Sequence, residues 1–362
     1  MKVLFLTNIP SPYTTKFFND LGNQVELTVI YERDNASDRD SDWSKTEKQN
    51  FRKIILRGIK VRKEQSISLG IIRHLSKKYD QIILGSFTTP TGIIAVLWMK
   101  LLRIKYMLFS EGGIPKNGKG FREKVKKLVI KKADRYLSTC ELGDQYFIKY
   151  GAKSKNIRRI IFTTISEKDI VSNHDFIYKR KNKLPQIIAV GQFIKRKGFI
   201  HLIELSAKIN SLYPHEVMIV GSGPEKKVYQ KFISRNNLFN IRIINYLPKQ
   251  ELLQYYRNSD IFVLPTELDI WGLVVIEAMT QGLPVITTDT CVSGTEFVGM
   301  DSGRLFKFGD NLNFQKHLIE LLRDEELRLD MSVNNYIKMR DYTFENMIIR
   351  FMDAISKEEV NK

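Results

Sequence analysis

Short apolar runs alternate with longer amphipathic stretches along almost the whole chain. In the first half, residues 2–7, 25–31, 81–84, 105–109 and 135–138 are short and rich in β-branched or aromatic side chains, the pattern of buried strands. Between them, residues 69–79, 91–102, 121–133 and 141–150 place apolar side chains at helical spacing. The second half repeats the rhythm, with strands predicted at 186–190, 216–220, 241–244, 261–264 and 284–287 and helices near 199–210, 225–236, 249–258 and 273–281. Strands that alternate with helices call for parallel sheets joined by right-handed crossovers. The predicted fold is α/β, built as two doubly wound Rossmann-like domains.

Domain boundaries follow from the polar stretches. Residues 1–165 form the expected N-terminal domain, 166–185 a linker containing the run KRKNK, and 186–340 the C-terminal domain. A last helix over 341–362, with Thr343 as a plausible N-cap, is expected to pack back on the first domain. The stretch 32–50 is polar throughout its later part and reads as a surface loop. Open parallel sheets bind ligands beyond the carboxyl ends of their strands, so two such domains are expected to face one another across a cleft.

Composition narrows the function classes. At 362 residues, with 43% hydrophobic and 27% charged residues, the chain has ordinary globular balance. Its first apolar run, 3–6, is too short for a signal-peptide core, and 92–102 falls short of a membrane span. Cys140 and Cys291 lack metal-ligand spacing, which suits a reducing cytoplasm. The net charge is +18, with +17 in residues 1–165 and +1 in the remainder. A one-sided excess points to an electrostatic partner of the first half. No aromatic or groove-reading pattern accompanies it, so an anionic membrane surface is expected and nucleic acid is not.

The candidate chemistry lies mainly in the second half. Strand 187–190 runs into Gly191, after which Arg196 and Lys197 precede Gly198 at a helix entrance, where a diphosphate is well held. Gly221 and Gly223 follow another strand. Asp269 lies in the loop after strand 261–264, and Gly272 and Leu273 open the next helix. Within that helix Glu277 sits among apolar neighbours and requires a hydrogen-bond donor, a role that a ribose hydroxyl pair would fill.

These residues, with Leu247-Pro248-Lys249 ahead of strand 261–264, resemble the donor-binding domain of the retaining GT-B glycosyltransferases of family four over about residues 187–305. The resemblance implies that Arg196 and Lys197 contact a donor diphosphate, Glu277 the ribose and Asp269 the transferred sugar. It implies donor contacts for Gly191, Gly221, Gly223, Leu247, Gly272 and Leu273. Three departures stand out. Asp269 is one methylene shorter than the family's glutamate, Gln192 replaces a frequent arginine, and Ser110-Glu111-Gly112-Gly113 stands where many relatives carry a histidine.

Glu111 is thereby a candidate to position the acceptor or the donor sugar, with Gly112 and Gly113 beside it. Ser11, Pro12 and Tyr13 match the family's acceptor-side loop. The expected reaction is metal-independent, cofactor-free transfer of a sugar from a nucleotide-diphosphate donor, a UDP-sugar by the frequency of that donor in the family. The acceptor would be a saccharide or lipid-linked saccharide, and anomeric configuration would be retained. Cell-surface polysaccharide synthesis, at the inner face of the membrane, is the expected setting. A non-catalytic GT-B subunit and a GT-B sugar-nucleotide epimerase are the alternatives. Asp38, Asp40 and Asp42 form overlapping Asp-x-Asp patterns, but a metal site should follow a buried strand and these lie in a polar loop.

Overall fold

A computed structural model describes residues 1–34, 49–62, 65–113, 115, 118, 120–171 and 184–356. The chain divides into two units, Met1–Phe162 with the chain from Asn346 onward, and Thr163–Glu345.

The first unit is built on a parallel sheet. Its strands are β1 (Lys2–Thr7), β2 (Glu26–Tyr31), β3 (Arg52–Ile55), β6 (Gln81–Leu84), β7 (Met107–Ser110), β8 (Arg135–Ser138) and β9 (Ile157–Arg159), in the order β3-β2-β1-β6-β7-β8-β9. A separate antiparallel pair joins β4 (Ile59–Arg62) and β5 (Gln65–Ile67). Central strands are apolar on both faces because helices cover both, and Leu4, Leu6, Ile82, Leu84 and Leu108 lie in one buried core with Val96 and Met99 of the helix Pro90–Leu101. The helix Phe344–Ile355 completes this unit. Its Phe351 ring lies 4.9 Å from that of Phe17 and 6.4 Å from that of Phe5, and Gln81 Nε2 donates to the Ile355 carbonyl at 2.8 Å.

Among the described residues the second unit has six parallel strands, β10 (Gln186–Val190), β11 (Glu216–Val220), β12 (Ile241–Ile244), β13 (Ile261–Leu264), β14 (Val285–Thr288) and β15 (Gly303–Phe306). Their order is β12-β11-β10-β13-β14-β15, so the winding direction reverses between β10 and β13. Buried side chains on the helix Leu273–Thr280, among them Val275, Ile276 and Met279, explain its nearly uninterrupted apolar sequence.

Three local expectations change. Residues 69–79 do not form a full helix. Leu69–His74 is a 3₁₀ segment, after which Leu75 turns extended and buries its side chain, leaving few residues to reach β6. Part of the expected linker is packed rather than loose. Ser166 and Asp169 are buried, and the side chains of Ser166 and Asp169 cap the turn Glu167–Asp169 reciprocally. The third change concerns Glu32, read as the start of a surface loop but fully buried, where it follows β2. The linker residues 172–183 and the triad Asp38, Asp40 and Asp42 lie outside the described residues.

Candidate functional site

At the β10–β13 reversal, three strand-end turns come together. Gly191 follows β10 and Gly221 follows β11, and their backbones are pressed close. Gly221 has φ 152°, and a Cβ there would lie 1.9 Å from the Gly191 carbonyl oxygen. Only glycine fits. A Cβ on Gly223 would likewise meet the Phe193 backbone at 2.6 Å, while the Phe193 amide donates to the Ser222 carbonyl at 2.7 Å. These glycines thus serve the contact between two turns, a local reason for their presence that needs no ligand.

Beyond Gly191 the chain makes a single 3₁₀ turn, Lys195–Lys197, and passes through Gly198 at φ 68° into the helix Phe199–Ile209. A Cβ at Gly198 would strike the Pro265 carbonyl oxygen, 2.0 Å away, so the turn after β10 lies directly on the loop after β13. Backbone and side chains lock the two. The Glu267 amide and Thr266 Oγ1 both donate to the Arg196 carbonyl, at 2.8 and 3.0 Å. The Arg196 guanidinium donates to the Leu268 carbonyl, and Lys197 Nζ lies 2.5 Å from Asp269 Oδ2. Lys197 is only 9% exposed. The structure therefore brings together Arg196, Lys197 and Asp269, residues separated by about 70 positions in sequence.

Asp269 is itself fixed. Its amide donates to the Thr290 carbonyl and its carbonyl accepts from the Val292 amide, each at 3.1 Å. Gly272, in the left-handed region, caps the start of the helix carrying Leu273 and Glu277, and its carbonyl accepts from Ser293 Oγ at 2.9 Å.

The sequence requires a hydrogen-bond donor for Glu277, and the structure supplies two from the protein itself. Thr164 Oγ1 donates to its Oε1 at 2.8 Å and Tyr256 OH to its Oε2 at 3.2 Å. Burial pushes its carboxyl above the usual glutamate range, opposed by the Thr164 hydroxyl and by the charge of Lys249. A carboxylate has about four acceptor positions, so two protein hydroxyls leave capacity for a ligand. Thr164 is 113 positions away, which is why no local pattern revealed it.

Next to Glu277 lies a second network that sequence reasoning missed. Asp169 is 2% exposed, and its Oδ2 accepts from Lys249 Nζ at 2.5 Å and from the Ser166 amide at 3.0 Å. Gln250 Nε2 donates to Oδ1 at 3.0 Å. Burial alone would raise this carboxyl, but Lys249, Ser166 and Gln250 outweigh it and hold it below the usual aspartate range. Lys249 also donates to the Thr164 carbonyl, linking both acids to the start of the helix Lys249–Arg257. Leu247, partly buried, lies two residues before that helix.

In the first unit the expected acceptor-side residues are scattered over several roles. Ser11 is the N-cap of the helix Pro12–Gly22, with its hydroxyl 2.7 Å from Thr14 Oγ1 and 3.3 Å from the Thr14 amide, and Pro12 is the first helical residue. The Tyr13 ring meets that of Phe162 edge-on at 5.9 Å. Glu111 is partly exposed just past the end of β7, and Ser110 Oγ donates to the Gly112 carbonyl. A Cβ on Gly113 would press on the Tyr146 ring at 3.0 Å. One strong signal went unread. Glu32, just past the end of β2, accepts from Thr89 Oγ1 at 2.5 Å through Oε1, and the hydroxyls of Ser86 and Thr91 also face its carboxyl. Burial raises its carboxyl above the usual range, and the Thr89 hydroxyl opposes the shift.

The basic segment 116–135 is helical over Phe121–Ile130. Its apolar side chains split between two faces. Val129 and Ile130 are buried and Val125 packs on the core, whereas Phe121 is 81% and Leu128 54% exposed. Lys132 lies beyond the helix, at φ 70°, and so does not extend the face on which the sequence placed it. No helix among the described residues is long and apolar enough to cross a membrane.

Residues 171–338 match the family model for glycosyl transferases group 1. An uncharacterised glycosyltransferase of Haemophilus influenzae is 30% identical over 176 residues, 46% of this chain and 49% of the relative, so the match spans about half of that protein. The amylovoran biosynthesis glycosyltransferase AmsD of Erwinia amylovora is 23% identical over 78% of this chain and 82% of its own. Among solved structures, Anabaena HepE in complex with UDP superposes with a TM-score of 0.78 at 14% identity, covering 99% of this chain and all of HepE. WaaG, a glycosyltransferase involved in lipopolysaccharide biosynthesis, gives a TM-score of 0.70 at 14% identity over 98% of this chain. At these identities the likeness establishes the fold, which is GT-B.

Proposed function

We propose that this GT-B chain, whose residues 171–338 form a group 1 glycosyltransferase domain, transfers a sugar from a nucleotide-diphosphate donor to a saccharide or lipid-linked saccharide acceptor. The observation that carries the reading is the convergence of Arg196, Lys197 and Asp269 at the β10–β13 reversal, where open α/β sheets bind nucleotides. In the proposed site Arg196 and Lys197 meet the diphosphate, Glu277 the ribose and Asp269 the transferred sugar. Gly191, Gly221, Gly223, Leu247, Gly272 and Leu273 line the donor. UDP is the proposed nucleotide, in keeping with the UDP complex of HepE.

As the bond between the anomeric carbon and the phosphate oxygen breaks, negative charge grows on the leaving diphosphate, and the two cations stabilise it. The acceptor hydroxyl bonds to the anomeric carbon from the face the phosphate leaves, and the departing phosphate oxygen takes its proton. Configuration is then retained without a protein nucleophile or a metal. Glu111, with Gly112 and Gly113, and the loop Ser11, Pro12, Tyr13 are the proposed acceptor-side elements. The proposed setting is polysaccharide synthesis; AmsD is named for amylovoran biosynthesis.

The excess charge of the first unit supports peripheral contact with an anionic membrane at the inner face of the cell membrane. Phe121 and Leu128 are exposed on one helical face, and Lys124 and Lys127 on the same helix are also exposed. Each engaged cation adds on the order of 1 kcal/mol at an anionic surface. The test is incubation of purified protein with a panel of nucleotide sugars and lipid-linked saccharides, with and without anionic vesicles. Release of nucleoside diphosphate together with an extended acceptor supports the reading. Donor isomerisation without acceptor would instead indicate an epimerase, and turnover only with a second protein a supporting subunit.

A further inference from the structure

Lys197 and Asp269 are proposed to meet different parts of the donor, yet in this structure they meet each other. Nζ lies 2.5 Å from Oδ2, and the two side chains are only 11% and 14% exposed. Paired in this way they present no net charge to an incoming diphosphate. A diphosphate that approached Lys197 with the pair intact would also approach a carboxylate, and in a poorly solvated turn that repulsion is large. One partner must move.

The geometry points to Lys197 as the mobile partner and Asp269 as its anchor: we infer that donor binding exchanges the partner of Lys197 from Asp269 to the diphosphate, freeing Asp269 for the sugar. The Asp269 backbone is held on both sides by hydrogen bonds to Thr290 and Val292, which together make an isolated parallel β-bridge opposite Cys291. Lys197 stands on one 3₁₀ turn with a flexible four-carbon stem. An aspartate, one methylene shorter than the glutamate of the resembling family, keeps its carboxylate close to this fixed backbone. Asp269 is therefore a positioning residue for Lys197 when no donor is bound, and an internal competitor of the diphosphate for the same ammonium.

This inference rests on the proposed donor site, and the experiment separates the two. UDP, GDP, ADP, CDP and dTDP are titrated by calorimetry into the wild-type chain and into the Lys197→Ala, Asp269→Asn and Asp269→Glu variants. For whichever nucleotide binds, Asp269→Asn is expected to bind about five- to tenfold more tightly, because the competitor has lost its charge. Affinity for the corresponding nucleoside should not change, Asp269→Glu should return toward wild-type, and kcat with the sugar donor should fall. A purely structural role for Asp269 predicts the opposite sign, weaker binding. Equal or weaker binding by Asp269→Asn, with Lys197→Ala still impaired, overturns the exchange and leaves the donor site standing. No nucleotide binding to the wild-type chain, or undiminished binding to Lys197→Ala, overturns the donor site itself. Should Asp269→Asn melt early, Asp269→Ser carries the same expectation.

Discussion

The polar groups at the strand ends of the two units are arranged in opposite ways. In the second unit they are paired with one another: Lys197 with Asp269, Arg196 with the Leu268 carbonyl, Glu277 with Thr164 and Tyr256, Asp169 with Lys249. In the first unit, Asn8 Oδ1 after β1 and Thr139 Oγ1 after β8 are buried without a hydrogen-bond partner among the described residues, and Glu32 after β2 is buried with only the hydroxyls of Thr89, Ser86 and Thr91 and the backbone of Ser66 against its carboxyl. A buried polar atom without a partner costs roughly 1–3 kcal/mol, so the Asn8 and Thr139 atoms call for an explanation. In the second unit the proposed donor-binding side chains are thus occupied by one another, and the pair of Lys197 and Asp269 exchanges when a diphosphate arrives. The first unit keeps the Asn8 and Thr139 side-chain atoms unpaired among the described residues at the strand ends where α/β sheets bind ligands.

The largest effect expected to test this contrast is on turnover. Lys197→Ala should remove a charge-assisted contact that strengthens as the leaving group departs, lowering kcat/KM by about 2–4 kcal/mol of transition-state stabilisation. The fold should survive, as judged by an unchanged far-UV spectrum. Full activity in an intact variant would remove Lys197 from the site.

A smaller effect, on stability, belongs to Asp169. Asp169→Asn leaves Lys249 without its buried counter-ion and should cost about 2–3 kcal/mol in a denaturant titration. The sign with pH is set by the lowered carboxyl. Its stabilisation is present above the ordinary aspartate range and is lost as pH falls through the lower folded value. Wild-type stability should therefore drop below about pH 4, and the variant should show a shallower drop.

Glu32 should behave in the reverse sense. Its folded carboxyl is raised by burial, so its contribution is complete below the ordinary glutamate value of 4.5 and is lost as pH rises through the folded one. Glu32→Gln should leave stability at pH 8 equal or raised by about 1 kcal/mol, and should flatten the alkaline side of the profile. A marked loss at pH 8 would show that the charged carboxylate is required where it stands, and the contrast between the units would fail at that point.

The fold was legible because parallel strands covered on both faces leave continuous apolar runs, and 81–84, 135–138, 186–190 and 261–264 were read with the bounds the structure has. Edge strands such as β3 and β9 were missed, since Arg52, Arg158 and Arg159 are exposed and break any apolar run. Arg196, Lys197, Asp269 and Glu277 could be singled out because each stands in a short local motif beside a strand or glycine. Their partners could not. Thr164 reaches Glu277 and Asp169 reaches Lys249 across 113 and 80 positions, and pairings of that range have no spacing to read. Glu32 was overlooked for a related reason: a charged residue opening a polar stretch looks solvated until Thr89, from a distant turn, is seen to hold it.

The central claim is that Glu277 faces a ribose within a nucleotide-diphosphate site, and a single comparison tests it most directly. Calorimetry is carried out with the nucleoside diphosphate that binds best and with inorganic pyrophosphate, on the wild-type chain and on Glu277→Gln. The account predicts that the variant loses about tenfold in nucleotide affinity, roughly 1.4 kcal/mol, while its affinity for pyrophosphate is unchanged. Equal nucleotide affinity in the two proteins, or an equal loss for pyrophosphate, would contradict it.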